Sequence, residues 1–281
     1  MFGIDHGTTV LSLGKVYCYC KFTGSLTINN SVIDVTSTDK PLKIAMWSGP
    51  RNLSTAMMYA FAQRPDTEVW DEPFYAAYLK ATGLDHPMGA EIRAAGEQDA
   101  SAVIKACASA GPASKPVFYQ KHMTQHMIEG VDRNWIREMC NVFLIRHPAR
   151  VLASYDKKRG NPTLDDIGFR QQEELIDLLQ KDKGQPPIII DSADIRENPE
   201  KMLRLLCDRL EIPFYPSMLS WEKGGNPQDG VWAPHWYGAV WNSTGFAGAE
   251  GPVPEVSERL LPVLEQAQEI YDRIAPLKLT A

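Results

Sequence analysis

The residues with the most chemistry in this chain lie in the stretch AMWSGPRNLSTAMMYAF, residues 45–61. An apolar run ends in Ser48-Gly49-Pro50, a polar turn follows, and a helix-favouring segment begins at Ser54 and Thr55. A loop that enters a helix in this way presents unpaired backbone N–H groups at the positive end of the helix dipole. Ser54 and Thr55 add hydroxyls, Asn52 an amide, and Arg51 a planar fork that matches phosphate oxygens. The chemistry expected here is the holding of an oxyanion. A nucleoside triphosphatase would carry Gly-Lys-Ser/Thr at this junction. Here the residues are Leu53-Ser54-Thr55, and the nearby cation is Arg51. Ser54 as a plain helix cap is the competing, structural role.

Arg146 and Ser154 form a second candidate pair, in VFLIRHPARVLASYDKK. An apolar strand ending in Arg146, followed by Pro148 and a helix carrying Ser154, would send both groups over the carboxyl edge of a sheet. Open α/β sheets bind ligands at that edge. Taken singly, the pair reads better as an arginine meeting a surface carboxylate and a serine near a helix start. Lys121 and His122 follow the strand-like PVFYQ to the same edge. Asp71 and Glu72, in VWDEPFY, end another strand. Trp70, Pro73 and Phe74 around Glu72 would raise its pKa and suit it to accept a hydroxyl proton. The alternative for Glu72 is a capping carboxylate ahead of a PFYAAYLK helix. Glu72 is favoured as general base; His122 competes, since imidazole titrates near neutrality. His122 and His126 lack a third ligand nearby, so a metal site is not expected. Trp232, His235, Trp236 and Tyr237 would wall an acceptor pocket, stack on a base, or clasp the C-terminal helix.

The elements that must position these groups follow a strand–helix rhythm. Strands are expected over 43–48, 67–71, 116–121, 141–146 and 187–191. Helix-period segments lie between them over 54–63, 89–110, 128–138, 149–157 and 164–181. Two further helices are expected over 199–210, with Asp194 and Asn198 as caps, and over 255–274. Continuous apolar strands alternating with helices imply a central parallel sheet covered on both faces. Residues 1–40 consist of short β-favouring pieces and read as an N-terminal extension before an α/β domain over 41–281. The segment 221–246 has no periodicity but holds four tryptophans, which suits a functional lid better than disorder.

Taken together, the two motifs resemble those of the PAPS-dependent sulfotransferases, PAPS being 3′-phosphoadenosine 5′-phosphosulfate. That family has a 5′-phosphosulfate loop of the form Pro-Lys/Arg-x-Gly-x-Thr/Ser after the first strand, matched here by Pro50-Arg51-Asn52-Leu53-Ser54-Thr55. It has a 3′-phosphate motif of Arg followed eight residues later by Ser, matched by Arg146 and Ser154. DSADIRENPEKMLRLLCDRLEIPF resembles the family's later strand-to-helix segment. The resemblance covers residues from Leu42 onward. It implies a three-layer α/β/α fold with a P-loop-like phosphate-binding loop, PAPS as co-substrate, and no metal ion. Leu53 replaces a common Gly, which implies that only its backbone N–H serves the ligand. Lys121 and His122 resemble a Lys-x-His segment with the two residues adjacent. Lys223 and Gly224 stand loosely where the family's Gly-rich loop closes on the nucleotide. The implied reaction is sulfuryl transfer to a hydroxyl or amine of a small-molecule or carbohydrate acceptor. Arg51 would stabilise the leaving phosphate.

Composition narrows the alternatives. A chain of 281 residues with 44% apolar and 23% charged residues is ordinary for a globular enzyme. Its net charge of −6 disfavours general nucleic-acid binding. No apolar run is long enough to span a bilayer, so no membrane partner is expected. Five cysteines without framework spacing suit reduced thiols, and the expected location is cytoplasmic. The first residues lack the features of a signal peptide. Two rival functions remain: a nucleotide kinase or ATPase, for which PPIIID ending at Asp191 resembles a magnesium-binding strand, and a non-catalytic nucleotide-binding protein of the same fold.

Overall fold

The computed structural model describes residues 41–109, 111, 115–156 and 160–280. The expected extension over residues 1–40, with Cys18 and Cys20, lies outside the described residues. From Leu42 the order of elements is β1 (Leu42–Ser48), α1 (Ser54–Ala62), β2 (Thr67–Asp71), α2 (Tyr75–Thr82), α3 (Gly89–Ala95) and α4 (Ala100–Ala108). Then come β3 (Val117–Met123), β4 (Cys140–Ile145), α5 (Pro148–Asp156), α6 (Phe169–Lys183), β5 (Ile188–Asp191) and α7 (Ser192–Glu197). The chain ends with α8 (Pro199–Arg209), two single turns α9 (Ala233–Trp236) and α10 (Gly238–Trp241), and α11 (Leu261–Ile274).

Among the described residues the sheet has five strands in the order β2-β3-β1-β4-β5, and every pairing is parallel. Side chains alternate across a strand, and β1 shows what that does to the core. Ile44 and Met46 join one apolar cluster with α1, α2 and α8. Ala45 and Trp47 join the other, with α4, α5, α6 and α11. Both faces of the sheet are therefore covered, which is the expected three-layer α/β/α arrangement. All strands run the same way, so their carboxyl ends share one edge.

Four expected helices differ from the observed ones; the one expected over 164–181 starts only at Phe169, after Gly168 at φ 70°, and the other three differ for equally local reasons. The segment 89–110 splits because Gly96 is extended and Asp99 restarts the chain as α4, its side chain accepting the Ser101 N–H at 2.9 Å. A Cβ at Gly96 would come within 2.7 Å of the Ala76 Cβ. The segment 128–138 keeps only a short 3₁₀ turn over Asn134–Glu138, because Gly130 takes a φ of +86° and Asp132 ties up the Asn134 N–H. The C-terminal helix begins at Leu261 rather than 255, with Pro262 in its first turn. Asn198 caps α8 through the Lys201 N–H, whereas Asp191, not Asp194, caps α7.

Candidate active site

The loop after β1 is built by backbone strain and close approach. Gly49 passes so near the turn leading into α6 that a Cβ there would lie 2.4 Å from the Ile167 carbonyl oxygen. Arg51 and Leu53 both take left-handed backbone angles, φ 60° and 65°. Such alternation turns successive N–H groups toward one concavity. Leu53 is the N-cap of α1 with no side-chain cap, and the first intrahelical bond runs from the Met57 N–H to the Leu53 carbonyl. Ser54 thus stands inside the helix and does not cap it. The first-turn N–H groups have no intrahelical acceptor. Asn52 anchors the loop to β4, its amide donating to the Leu144 carbonyl at 2.7 Å while its own oxygen has no partner among the described residues.

The two motifs meet. Arg51 Nε donates to Ser154 Oγ at 2.9 Å, and Arg146 donates to the Arg51 carbonyl at 2.5 Å. Both segments line one cavity of about 400 Å³, together with Glu72, Tyr75, Gln125, His126 and Tyr237. Burial, then the neighbouring Arg146, lowers the Arg51 pKa. Guanidinium remains charged throughout the accessible pH range, so this repulsion is relieved by an incoming anion. Several buried polar atoms of cavity-lining residues have no partner among the described residues: Asn52 Oδ1, Gln125 Oε1, His126 Nδ1, Arg146 Nε, Ser192 Oγ and Trp236 Nε1.

The opposite wall is a closed circuit of charge. Lys121 Nζ donates to Asp71 at 2.9 Å, to Glu72 at 2.5 Å and to the Tyr237 hydroxyl oxygen at 2.7 Å. The Tyr237 hydroxyl donates to Asp71 at 2.8 Å and accepts from Trp232 Nε1 at 3.0 Å. Burial works against the Lys121 ammonium, but Asp71 and Glu72 outweigh it and hold its pKa above the usual value. Burial raises the Glu72 carboxyl, with Lys121 opposing and Asp71 adding to the effect. Glu72 also sits at φ 39°, its N–H bonded to the Lys121 carbonyl. This turn lifts it out of β2 and onto the cavity wall. Below the circuit, Tyr59 of α1 donates to Asp229 at 2.6 Å and accepts from Trp241 Nε1 at 3.1 Å, clamping the tryptophan-rich segment to that helix.

A family model described as a sulfotransferase domain matches residues 42–275. The chain belongs to that family. Two Arabidopsis thaliana proteins, branched-chain-amino-acid aminotransferase-like proteins 2 and 1, are each 40% identical, over 82% and 85% of this chain. Those stretches are 40% and 41% of the relatives, so the chain spans about two fifths of their length. Among solved structures, the sulfotransferase domain of the curacin biosynthetic pathway aligns at 16% identity, covering 86% of this chain and 93% of that one, with a TM-score of 0.46. The sulfotransferase domain of the Synechococcus PCC 7002 olefin synthase aligns at 18% identity, covering 82% and 96%, also with a TM-score of 0.46.

Within this sulfotransferase domain several expected site residues stand elsewhere. His122 is corrected as a base: it points to the opposite face of β3 from Lys121, stacks on Trp47 at 4.5 Å and does not line the cavity. Burial, then Lys121, pushes its pKa down to about 3. Lys121 does not reach the cavity surface either; its charge acts through Glu72. Lys223 is exposed, and the Gly224 N–H is bonded to the Trp241 carbonyl, so neither lines the cavity. Asp191, the magnesium candidate of the kinase reading, is consumed by its cap on α7 and by the Tyr271 hydroxyl at 2.7 Å. Among the described residues no group of three His, Cys, Asp or Glu is placed to hold a metal ion, and no helix is long and apolar enough to cross a membrane. Sequence reasoning missed Arg196 and Glu250 as cavity residues. Arg196 had a usable signal, since it follows β5 at the ligand edge; Glu250 had none.

Proposed function

We propose that this sulfotransferase domain moves a sulfuryl group from PAPS to a hydroxyl or amine of a small-molecule or carbohydrate acceptor. The observation that supports the reading is the meeting of Pro50–Thr55 with Arg146 and Ser154 on one cavity. In the proposed reaction the acceptor oxygen or nitrogen attacks sulfur and a new bond to sulfur forms. The bond between sulfur and the bridging phosphate oxygen breaks, and the leaving phosphate keeps the electron pair. Arg51 and the first-turn N–H groups of α1 receive the charge that develops there. The acceptor proton passes to Glu72, whose raised pKa suits it to that task. Positioning and charge supply much of the acceleration, as in phosphoryl transfer.

The aminotransferase wording in the relatives' names finds no counterpart here. Such chemistry uses a lysine for a Schiff base, and among the described residues no lysine lines the cavity. A reducing, cytoplasmic setting is part of the proposal, in keeping with the free thiols of Cys107, Cys140 and Cys207. The test compares heat protection by adenosine 3′,5′-bisphosphate and by Mg-ATP, followed by a labelled-PAPS transfer screen over acceptor classes. Protection by the bisphosphate and label transfer are expected. Protection by Mg-ATP alone would make the kinase reading the better one.

A further inference from the structure

The nucleotide end of the cavity already holds an anion of the protein's own making. Glu250 sits among three arginines. It is paired with Arg146, with Arg150 Nε at 2.9 Å and with Arg196 Nη1 at 2.9 Å, and its side chain is only 3% exposed. These arginines come from two elements at the carboxyl edge of the sheet. Arg146 and Arg150 flank the start of α5, and Arg196 lies on α7. Arg196 Nε also donates to the Gly248 carbonyl at 2.9 Å, and Arg150 donates to the Gly251 carbonyl.

The segment that carries Glu250 has little else to hold it. Residues 247–257 contain neither helix nor strand, and residues 247–249 and 251–253 are exposed on either side of the buried glutamate. Three cations around one carboxylate leave an excess of positive charge. A phosphomonoester carries about −1.5 to −2 at neutral pH and three acceptor oxygens, so it balances such a cluster better than a carboxylate does. Exchange is feasible because the departing glutamate regains water as the phosphate loses it.

We infer that Arg146, Arg150 and Arg196 form a seat for a phosphomonoester, and that Glu250 fills it until the ligand arrives. The inference rests on the donor reading above, in which that phosphomonoester is the nucleotide's 3′-phosphate. Arg150 and Arg196 thereby join the binding machinery, and Glu250 becomes an internal competitor whose displacement frees residues 247–253.

Calorimetric titration of adenosine 3′,5′-bisphosphate and of adenosine 5′-monophosphate separates the possibilities. Glu250→Gln removes the competing charge, so the bisphosphate binds about tenfold tighter while the monophosphate is unchanged. Arg196→Gln weakens the bisphosphate about tenfold, again sparing the monophosphate. In the wild type, hydrogen exchange over 247–253 accelerates with the bisphosphate and not with the monophosphate, a readout that needs no variant. Unchanged or weaker bisphosphate binding by Glu250→Gln, or equal weakening of both nucleotides by Arg196→Gln, overturns the seat and leaves the donor reading standing. A wild type that binds Mg-ATP and neither adenosine phosphate overturns the donor reading and the seat with it.

Discussion

The two walls of the cavity solve opposite electrostatic problems. The wall proposed to take the nucleotide gathers Arg51, Arg146 and Arg196, leaves the start of α1 without a side-chain cap and, among the described residues, keeps Arg146 Nε without a partner. The wall proposed to face the acceptor is satisfied from within: Asp71, Glu72, Lys121 and Tyr237 bond one another and bury their charges together. One wall is finished by its ligand, the other by the protein. A polar site can therefore be incomplete where it binds and self-contained where it must hold one protonation state ready.

Perturbing the acceptor wall should give the largest effects. Glu72→Gln is expected to cut turnover by about 10²–10⁴-fold while bisphosphate affinity is preserved; single-turnover kinetics and calorimetry check the two halves separately. Because Glu72 acts only when ionised and burial raises its pKa, the acid limb of the kcat/KM profile lies above the ordinary carboxylate range. Retention of full turnover would remove Glu72 from the chemistry and blur the contrast between the walls.

Lys121→Met strips the circuit of its one cation and should cost roughly 3–5 kcal/mol of stability in urea unfolding, the range for a broken buried pair. The sign with pH follows from the same circuit. Without Lys121 nothing opposes the effect of burial on Glu72, whose pKa is already raised in the folded protein, so the variant is least impaired at acid pH and loses stability as pH rises through the folded value of Glu72. A loss independent of pH would mean that packing, not charge, holds this wall.

On the nucleotide wall the effects are smaller and fall on binding. Arg146→Ala should weaken bisphosphate affinity by roughly 1.5–3 kcal/mol with little change in folding. The smallest effect is expected at Leu53, whose left-handed backbone tolerates glycine but not a β-branched side chain. Leu53→Val should lower stability by about 1–2 kcal/mol in thermal unfolding, and Leu53→Gly far less. If both behave alike, the loop conformation is not what positions the N–H groups.

The contrast also explains what could be read in advance. Arg51, Ser54, Arg146 and Ser154 belong to short motifs in which a strand end feeds a helix; each is ambiguous alone, and it is their joint resemblance to the sulfotransferase pattern that singled them out. The strand set was legible on its own: buried parallel strands are continuous apolar runs, and β2 begins and ends where its pattern does. The acceptor wall depends on contacts between residues far apart in the chain, such as Tyr237 with Asp71 across 166 positions. Glu250 meets Arg146 across 104 positions, from a segment with no periodicity. His122, the competing base candidate, falls away from the cavity because neighbours in a strand point to opposite faces of the sheet.

The clamp of Tyr59 on Asp229 and Trp241 has a mechanical consequence. One short rod, α1, carries the oxyanion loop at its first turn and grips from its middle the segment that bears Tyr237. In the proposed reaction a shift of that rod would carry donor and acceptor sites along together and so preserve their separation.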